Sequence, residues 1–166
     1  MKRTLLVNNS KSGNAIAVEE GALASALEAA GFDIVASAYL PDDDLPSLSD
    51  LASLKIQTLA ICAGDGTVSS MCAKLAGWSG DVLVLPGGTM NLFARSLKLP
   101  LDIWKVLDVL AEAKVADVDI ATANGRPFVH QFSVGMHSRL VRIRNGLSYH
   151  SRIGKIVASV RAMSAT

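Results

Sequence analysis

Aromatic residues make up only 5% of this 166-residue chain, charged residues only 19%, and cysteine occurs twice. Each scarcity excludes something. Cys62 and Cys72 are too few for a disulfide framework and do not form a CxxC pair, so buried, reduced thiols are expected. His130, His137 and His150 lack HExxH or HxxxH spacing and have no cysteine nearby in sequence, which argues against a zinc site. No apolar run approaches the ~18 residues that span a bilayer. Leu5-Leu6-Val7, behind the basic start, is far shorter than the ~7–15-residue core of a signal peptide. The expected location is cytoplasmic. Aromatics are not interleaved with the basic residues, apart from Tyr149, so nucleic acid is not an expected partner.

What is present is a large apolar fraction. Half of the residues are hydrophobic and the mean hydropathy is +0.35, which calls for one well-packed core and the start of a second unit. The net charge of +1 conceals an asymmetry. Residues 1–116 carry nine basic and thirteen acidic side chains, whereas residues 117–166 carry seven basic and two acidic ones. The shift predicts a boundary near residue 116. The basic set Arg139, Arg142, Arg144, Arg152, Lys155 and Arg161 suits anionic lipid headgroups, solvent, or a face turned to a further domain.

Periodicity gives the order of elements. Strands are predicted at Thr4–Asn8, Phe32–Tyr39, Thr58–Cys62 and Val82–Leu85. Helices are predicted at about Asn14–Ala30, closed by Gly31, then from Asp42–Pro46 through Leu54, at Thr67–Ala76, Met90–Leu97 and Asp102–Ala113. Trp78 and Trp104 are expected in or near the core. This alternation predicts an α/β fold, a parallel sheet with helices on both faces and right-handed crossovers. After residue 116 the pattern changes. Val118–Ala123 and Pro127–Val134 flank Asn124-Gly125, a strong hairpin signal, and Tyr149–Ala162 reads as helical. The segment 117–166 is expected to begin a β-rich second domain without completing it. Its unpaired strand edges would favour self-association into a homo-oligomer.

In a parallel α/β sheet, ligands sit where strands lead into helices. Three such loops here, 9–13, 63–67 and 86–91, are rich in glycine and small polar residues. Glycine lets backbone N–H groups approach an anion, and each following helix adds unpaired N–H groups and the positive end of its dipole. Thr67 and Thr89 could cap their helices or donate a hydroxyl to a phosphate. Asp65, between Gly64 and Gly66, suggests Mg²⁺ bound directly or through water; a plain Asp-Gly turn is the alternative. Arg95 and Lys11 each suit either a phosphate contact or an ordinary surface position. There is no GxxxxGK[ST] loop, and Ser69 stands where a third glycine would complete GxGxxG.

The three loops together resemble the catalytic domain of the diacylglycerol kinase family, which includes bacterial lipid kinases and sphingosine kinases. That family carries an NPxSG-like turn, a GGDGT turn and a PxGTxNDFAR segment. Here they read Asn9-Ser10-Lys11-Ser12-Gly13, Ala63-Gly64-Asp65-Gly66-Thr67 and Pro86-Gly87-Gly88-Thr89-Met90-Asn91-Leu92-Phe93-Ala94-Arg95. Val118-Asp119-Ile120 through Phe128-Val129 and Gly135 looks like the family's entry into its β-rich second domain. The resemblance implies an ATP-dependent kinase acting on a lipid alcohol, with peripheral contact at a membrane surface. Asn9, Ser12, Gly13, Gly64, Asp65, Gly66, Thr67, Ser70 and Thr89 would face ATP, and Asp65 would also act near Mg²⁺ and in catalysis. The chain departs from the pattern at Ser10, Ala63, Ser69, Ser70 and Leu92, and Ser70 replaces a carboxylate expected at the nucleotide. The family's presumed general base lies in a DGE-like segment late in the second domain. The only Asp-Gly here is Asp65-Gly66, so that base is not expected within these residues. Two alternatives remain: a non-catalytic nucleotide-binding module, and an NAD kinase-like enzyme, which shares the GDGT turn.

Overall fold

The computed structural model of the chain describes residues 1–129, apart from 14, 16–18 and 20. Four parallel strands form its centre: β1 (Lys2–Asn9), β2 (Phe32–Leu40), β3 (Thr58–Ala63) and β4 (Asp81–Pro86), in the order β2-β1-β3-β4. All six residues of β3 are buried, as is Thr4–Asn8 of β1. A parallel strand covered on both faces loses both sets of side chains from water, so its sequence reads as an unbroken apolar run.

Alternate residues of the strands feed two separate cores. Leu5, Val7, Leu59, Ile61 and Val84 pack with Leu51 of α2 (Leu48–Ser53), Val68 and Met71 of α3 (Asp65–Lys74), and Phe93 of α4 (Leu92–Ser96). Leu6, Ala60, Cys62 and Leu85 pack on the other side, with Leu23 and Leu27 of α1 (Ala22–Ala29) and Ile103 and Val106 of α5 (Ile103–Val109). Helices therefore cover both faces, as the alternation predicts. Cys62 and Cys72 are free and buried, and burial pushes the Cys62 thiol up to about 12.

Several helix boundaries differ from expectation. The first described helix starts only at Ala22, behind Gly21 in the left-handed region; the expected start at Asn14 lies outside the described residues. Asp42–Pro46 does not start a helix. The Asp43 carboxylate instead accepts the Tyr39 N–H at 2.7 Å, and α2 begins behind Ser47. Ser47 and Asp50 form a reciprocal capping box, which satisfies two N–H groups that the acid run leaves unserved. The last helix ends at Val109 and tightens into a 3₁₀ turn, Leu110–Glu112, and Trp104 is 45% exposed on it rather than in the core.

The capping box has a pH signature. The Ser47 hydroxyl, followed by its backbone N–H, holds the Asp50 carboxyl below its ordinary value. A depressed folded value contributes stability above the unfolded pKa of ~3.9, which is lost as pH falls through the folded value. Ser47→Ala should lower the thermal midpoint by ~2–4 °C at neutral pH, with the gap narrowing as the pH falls below the ordinary carboxylate range. A gap that stays constant with pH in thermal scans would remove Asp50 from the effect.

Beyond residue 116, β5 (Ala121–Ala123) and β6 (Arg126–Phe128) form an antiparallel hairpin. Its two-residue turn, Asn124-Gly125, has positive φ at both positions, as a type I′ turn requires. β6 lies beside α3, and Val129 packs against the α3 core. The compact unit to which the hairpin belongs runs from Met1 to His130. The expected strand beyond Val129 and the helix at Tyr149–Ala162 lie outside the described residues.

Candidate nucleotide site

The order β2-β1-β3-β4 makes β1 and β3 neighbours whose following segments part company. The chain leaves β1 toward α1 on one face of the sheet and leaves β3 into α3 on the other. Such a point of divergence opens a crevice at the carboxyl ends of the two strands, where α/β proteins bind ligands. The loops 9–13 and 63–65 border that crevice, and 86–91 closes its side.

Few contacts join these loops, and they are specific. Asn9 Nδ2 donates to Thr67 Oγ1 at 3.0 Å, while Asn9 Oδ1 accepts the Lys11 N–H at 3.1 Å. The Gly64 N–H donates to Ser12 Oγ at 3.2 Å. A methyl group on Gly13 would lie 2.9 Å from Thr89 Oγ1, so the first and third loops touch. One on Gly88 would lie 2.6 Å from the Gly64 Cα, so the second and third loops meet backbone to backbone. Ala15, buried beyond the first loop, donates its N–H to the Gly87 carbonyl at 3.0 Å.

The helix after β3 begins two residues earlier than the sequence pattern predicts. Gly64 is its N-cap, and Asp65, Gly66 and Thr67 form its first turn. Its first intrahelical bond runs from the Val68 N–H to the Gly64 carbonyl. The N–H groups of Asp65, Gly66 and Thr67 therefore lie outside the helical ladder, at the positive end of the dipole. Thr67 and Thr89 cap neither α3 nor α4; the N-caps are Gly64 and Asn91, and α4 starts at Leu92 rather than Met90. The Thr67 hydroxyl is instead the partner of Asn9.

Asp65 Oδ1 accepts the Phe93 N–H at 3.1 Å, in the first turn of α4. One carboxylate oxygen thus ties the second loop to the third, and among the described residues Oδ2 accepts no hydrogen bond. Ser70 is exposed on α3 and has no described hydrogen bond to the other site residues. Arg95 Nε donates to the Met90 carbonyl at 2.9 Å, so its guanidinium braces the third loop. Asn91 is a residue that the reading of phosphate contacts passes over. It is buried, has φ of 50°, and its side chain bonds back to Gly88 and Pro86. The signal available was its type and place: asparagine two residues behind a glycine-threonine turn tolerates the left-handed region and bonds locally to backbone.

The described residues contain no group of three or more His, Cys, Asp or Glu side chains able to hold a metal ion. Among the described residues, Asp65 is the carboxylate whose hydrogen bond ties two of the loops at the crevice. Mg²⁺ is commonly held by one or two carboxylates, substrate phosphates and water. The site therefore fits a cation that arrives with phosphate and does not fit an all-protein cage.

A doubly wound α/β domain with glycine-lined loops at a topological switch point is a nucleotide-binding fold. The diacylglycerol kinase catalytic domain model matches residues 3–123, and the chain belongs to that family. It is 35% identical over 107 residues to a diacylglycerol kinase of Staphylococcus carnosus, covering 63% of this chain and 35% of that one. It is 28% identical over 174 residues to a diacylglycerol kinase of Bacillus subtilis, covering 97% of this chain and 57% of that one. The crystal structure of a diacylglycerol kinase from Bacillus anthracis superposes with a TM-score of 0.55 at 28% identity, over 76% of this chain and 45% of that one. At its longest, the match to these relatives spans little more than half of their length.

Proposed function

We propose that the chain carries the nucleotide half of an ATP-dependent lipid kinase of the diacylglycerol kinase type. The observation that carries this reading is the convergence of the three glycine loops on the β1–β3 crevice, with Gly13 against Thr89 and Gly64 against Gly88. Membership of the family supports the kinase assignment and favours it over the NAD kinase-like alternative. In this reading the free N–H groups at the start of α3 and the hydroxyls of Ser12, Thr67 and Thr89 receive the phosphates. Asn9 orients Thr67, and Ser70 marks the outer edge of the site. Residues 1–116 would hold the nucleotide and 117–166 would lead into the second domain, with the β5–β6 hairpin still part of the Met1–His130 unit; that second domain would carry most contacts to the lipid alcohol.

Phosphoryl transfer needs positioning and charge neutralisation more than covalent help from the protein. Mg²⁺ bound with ATP would neutralise the phosphate oxygens, and Asp65 would hold it, directly or through a water. The site is cytoplasmic in this proposal, working at the membrane surface where a lipid substrate is found and serving phospholipid synthesis. No helix among the described residues is long and apolar enough to cross a membrane.

Calorimetry with Mg-ATP on the 166-residue chain is the direct test. Absence of binding would sink the reading; binding with no ATP consumption on any lipid alcohol, in a protein that includes the second domain, would favour a non-catalytic module. Asp65→Asn separates charge from architecture, because an amide oxygen still accepts the Phe93 N–H. The expected outcome is ~10-fold weaker binding of Mg-ATP, about 1.4 kcal/mol, with metal-free ATP bound no more weakly than before. Equal losses with and without Mg²⁺ would remove Asp65 from the metal role.

A further inference from the structure

From the hydrogen bonds of its side chain, we infer that Asn91 is a positioning residue that sets the phosphate-facing backbone of the third loop. The inference rests on the nucleotide reading above and adds a residue to it. Asn91 is 4% exposed, and its carboxamide is spent entirely inward. Oδ1 accepts the Gly88 N–H at 2.8 Å, and Nδ2 donates to the Gly88 carbonyl at 2.9 Å and to the Pro86 carbonyl at 3.3 Å. One side chain thus holds both polar groups of Gly88, the residue in backbone contact with Gly64.

The arrangement leaves Thr89 pinned from both sides. Its preceding neighbour is held by Asn91, and the carbonyl of its following neighbour, Met90, by Arg95. Thr89 itself is exposed toward the first loop, where its hydroxyl faces Gly13. The left-handed conformation of Asn91 makes this possible, since it turns the chain back so that the side chain reaches residues three and five positions earlier. Asparagine adopts that conformation more readily than other residues bearing a side chain, and its amide supplies both the donor and the acceptor that the loop requires.

A residue that positions phosphate-facing groups should matter in proportion to the phosphates bound. Asn91→Gly keeps the left-handed backbone free of strain and deletes all three hydrogen bonds. In calorimetry with AMP, ADP and ATP, the variant should bind AMP within about twofold of wild type and ATP at least tenfold more weakly, with ADP between. Unchanged ATP affinity, or the same loss for all three nucleotides, would overturn the inference. If wild type binds none of them, the nucleotide reading itself falls. Should the variant not fold, the Asn91 side-chain amide resonances of the wild type give a second readout: ATP should shift them more than AMP does, and resonances unmoved by ATP would overturn the inference.

Discussion

Gly88→Ala should weaken Mg-ATP binding by at least tenfold and lower stability by ~1–3 kcal/mol, the usual effect of forcing a methyl group into filled space. The added carbon would lie 2.6 Å from the Gly64 Cα and 2.9 Å from Asn91 Oδ1. A flexible side chain could swing away from such a clash, but Gly64 Cα is backbone and the Asn91 amide is already committed to the loop. The only relief is to move the third loop away from the second. That separates Thr89 from the start of α3, the two sets of groups that would have to act on one triphosphate. Gly66→Ala is the matched comparison. Nothing lies within 4 Å of its missing carbon, and it sits in the first turn of a helix, so stability should hold or rise. Thermal unfolding and calorimetry on both variants decide the matter. A Gly88→Ala protein that binds Mg-ATP like wild type would show that contact between the loops is not needed.

Leu59→Ala should cost about 2–5 kcal/mol, against a total stability of ~5–15 kcal/mol for a domain of ordinary size. Leu59 is fully buried in β3 and belongs to the core that includes α2, α3 and α4. Its neighbour across the sheet is Val82 on β4, which is 37% exposed at the sheet's edge. Val82→Ala should therefore cost roughly 0.5 kcal/mol or less. The two residues share a rung of the sheet and an apolar character, so strand pairing alone predicts equal costs. Denaturant unfolding of both variants tests whether cover by helices, rather than pairing, sets the energetics; equal midpoints would reject the two-core description.

The strands were legible because their burial is nearly uniform. Thr58–Cys62 and Thr4–Asn8 carry unbroken or nearly unbroken apolar runs, and the structure extends each by only one to three residues. Helix starts were less legible because several chemistries compete for them. Three consecutive acids at Asp42–Asp44 look like the start of a helix, yet one of them closes a turn onto Tyr39 while Ser47 provides the cap. Trp104 is apolar like the stripe of its helix but lies beside it, since the buried positions of α5 are Ile103 and Val106. At the site, the identity of the loops could be read from glycine and threonine spacing. Their mutual distances could not, because Gly13 and Thr89, or Gly64 and Gly88, are brought together only by the strand order. The tie from Asp65 to Phe93 was hidden for the same reason.

The divergence of the chain at β1 and β3 has a thermodynamic consequence. The two cores lie on opposite faces of the sheet; besides the strands, Leu99, which packs against both, and the contacts of Ser12 and Gly13 with Gly64 and Thr89 join the α1 and α5 side to that of α2, α3 and α4. An anion held by the loops that lead toward α1 and into α3 would act as a staple across both layers. Its binding energy would enter the folding equilibrium of each, adding RT ln(1 + [L]/Kd) to the stability of the whole. A domain arranged in this way is more cooperative when loaded than when empty.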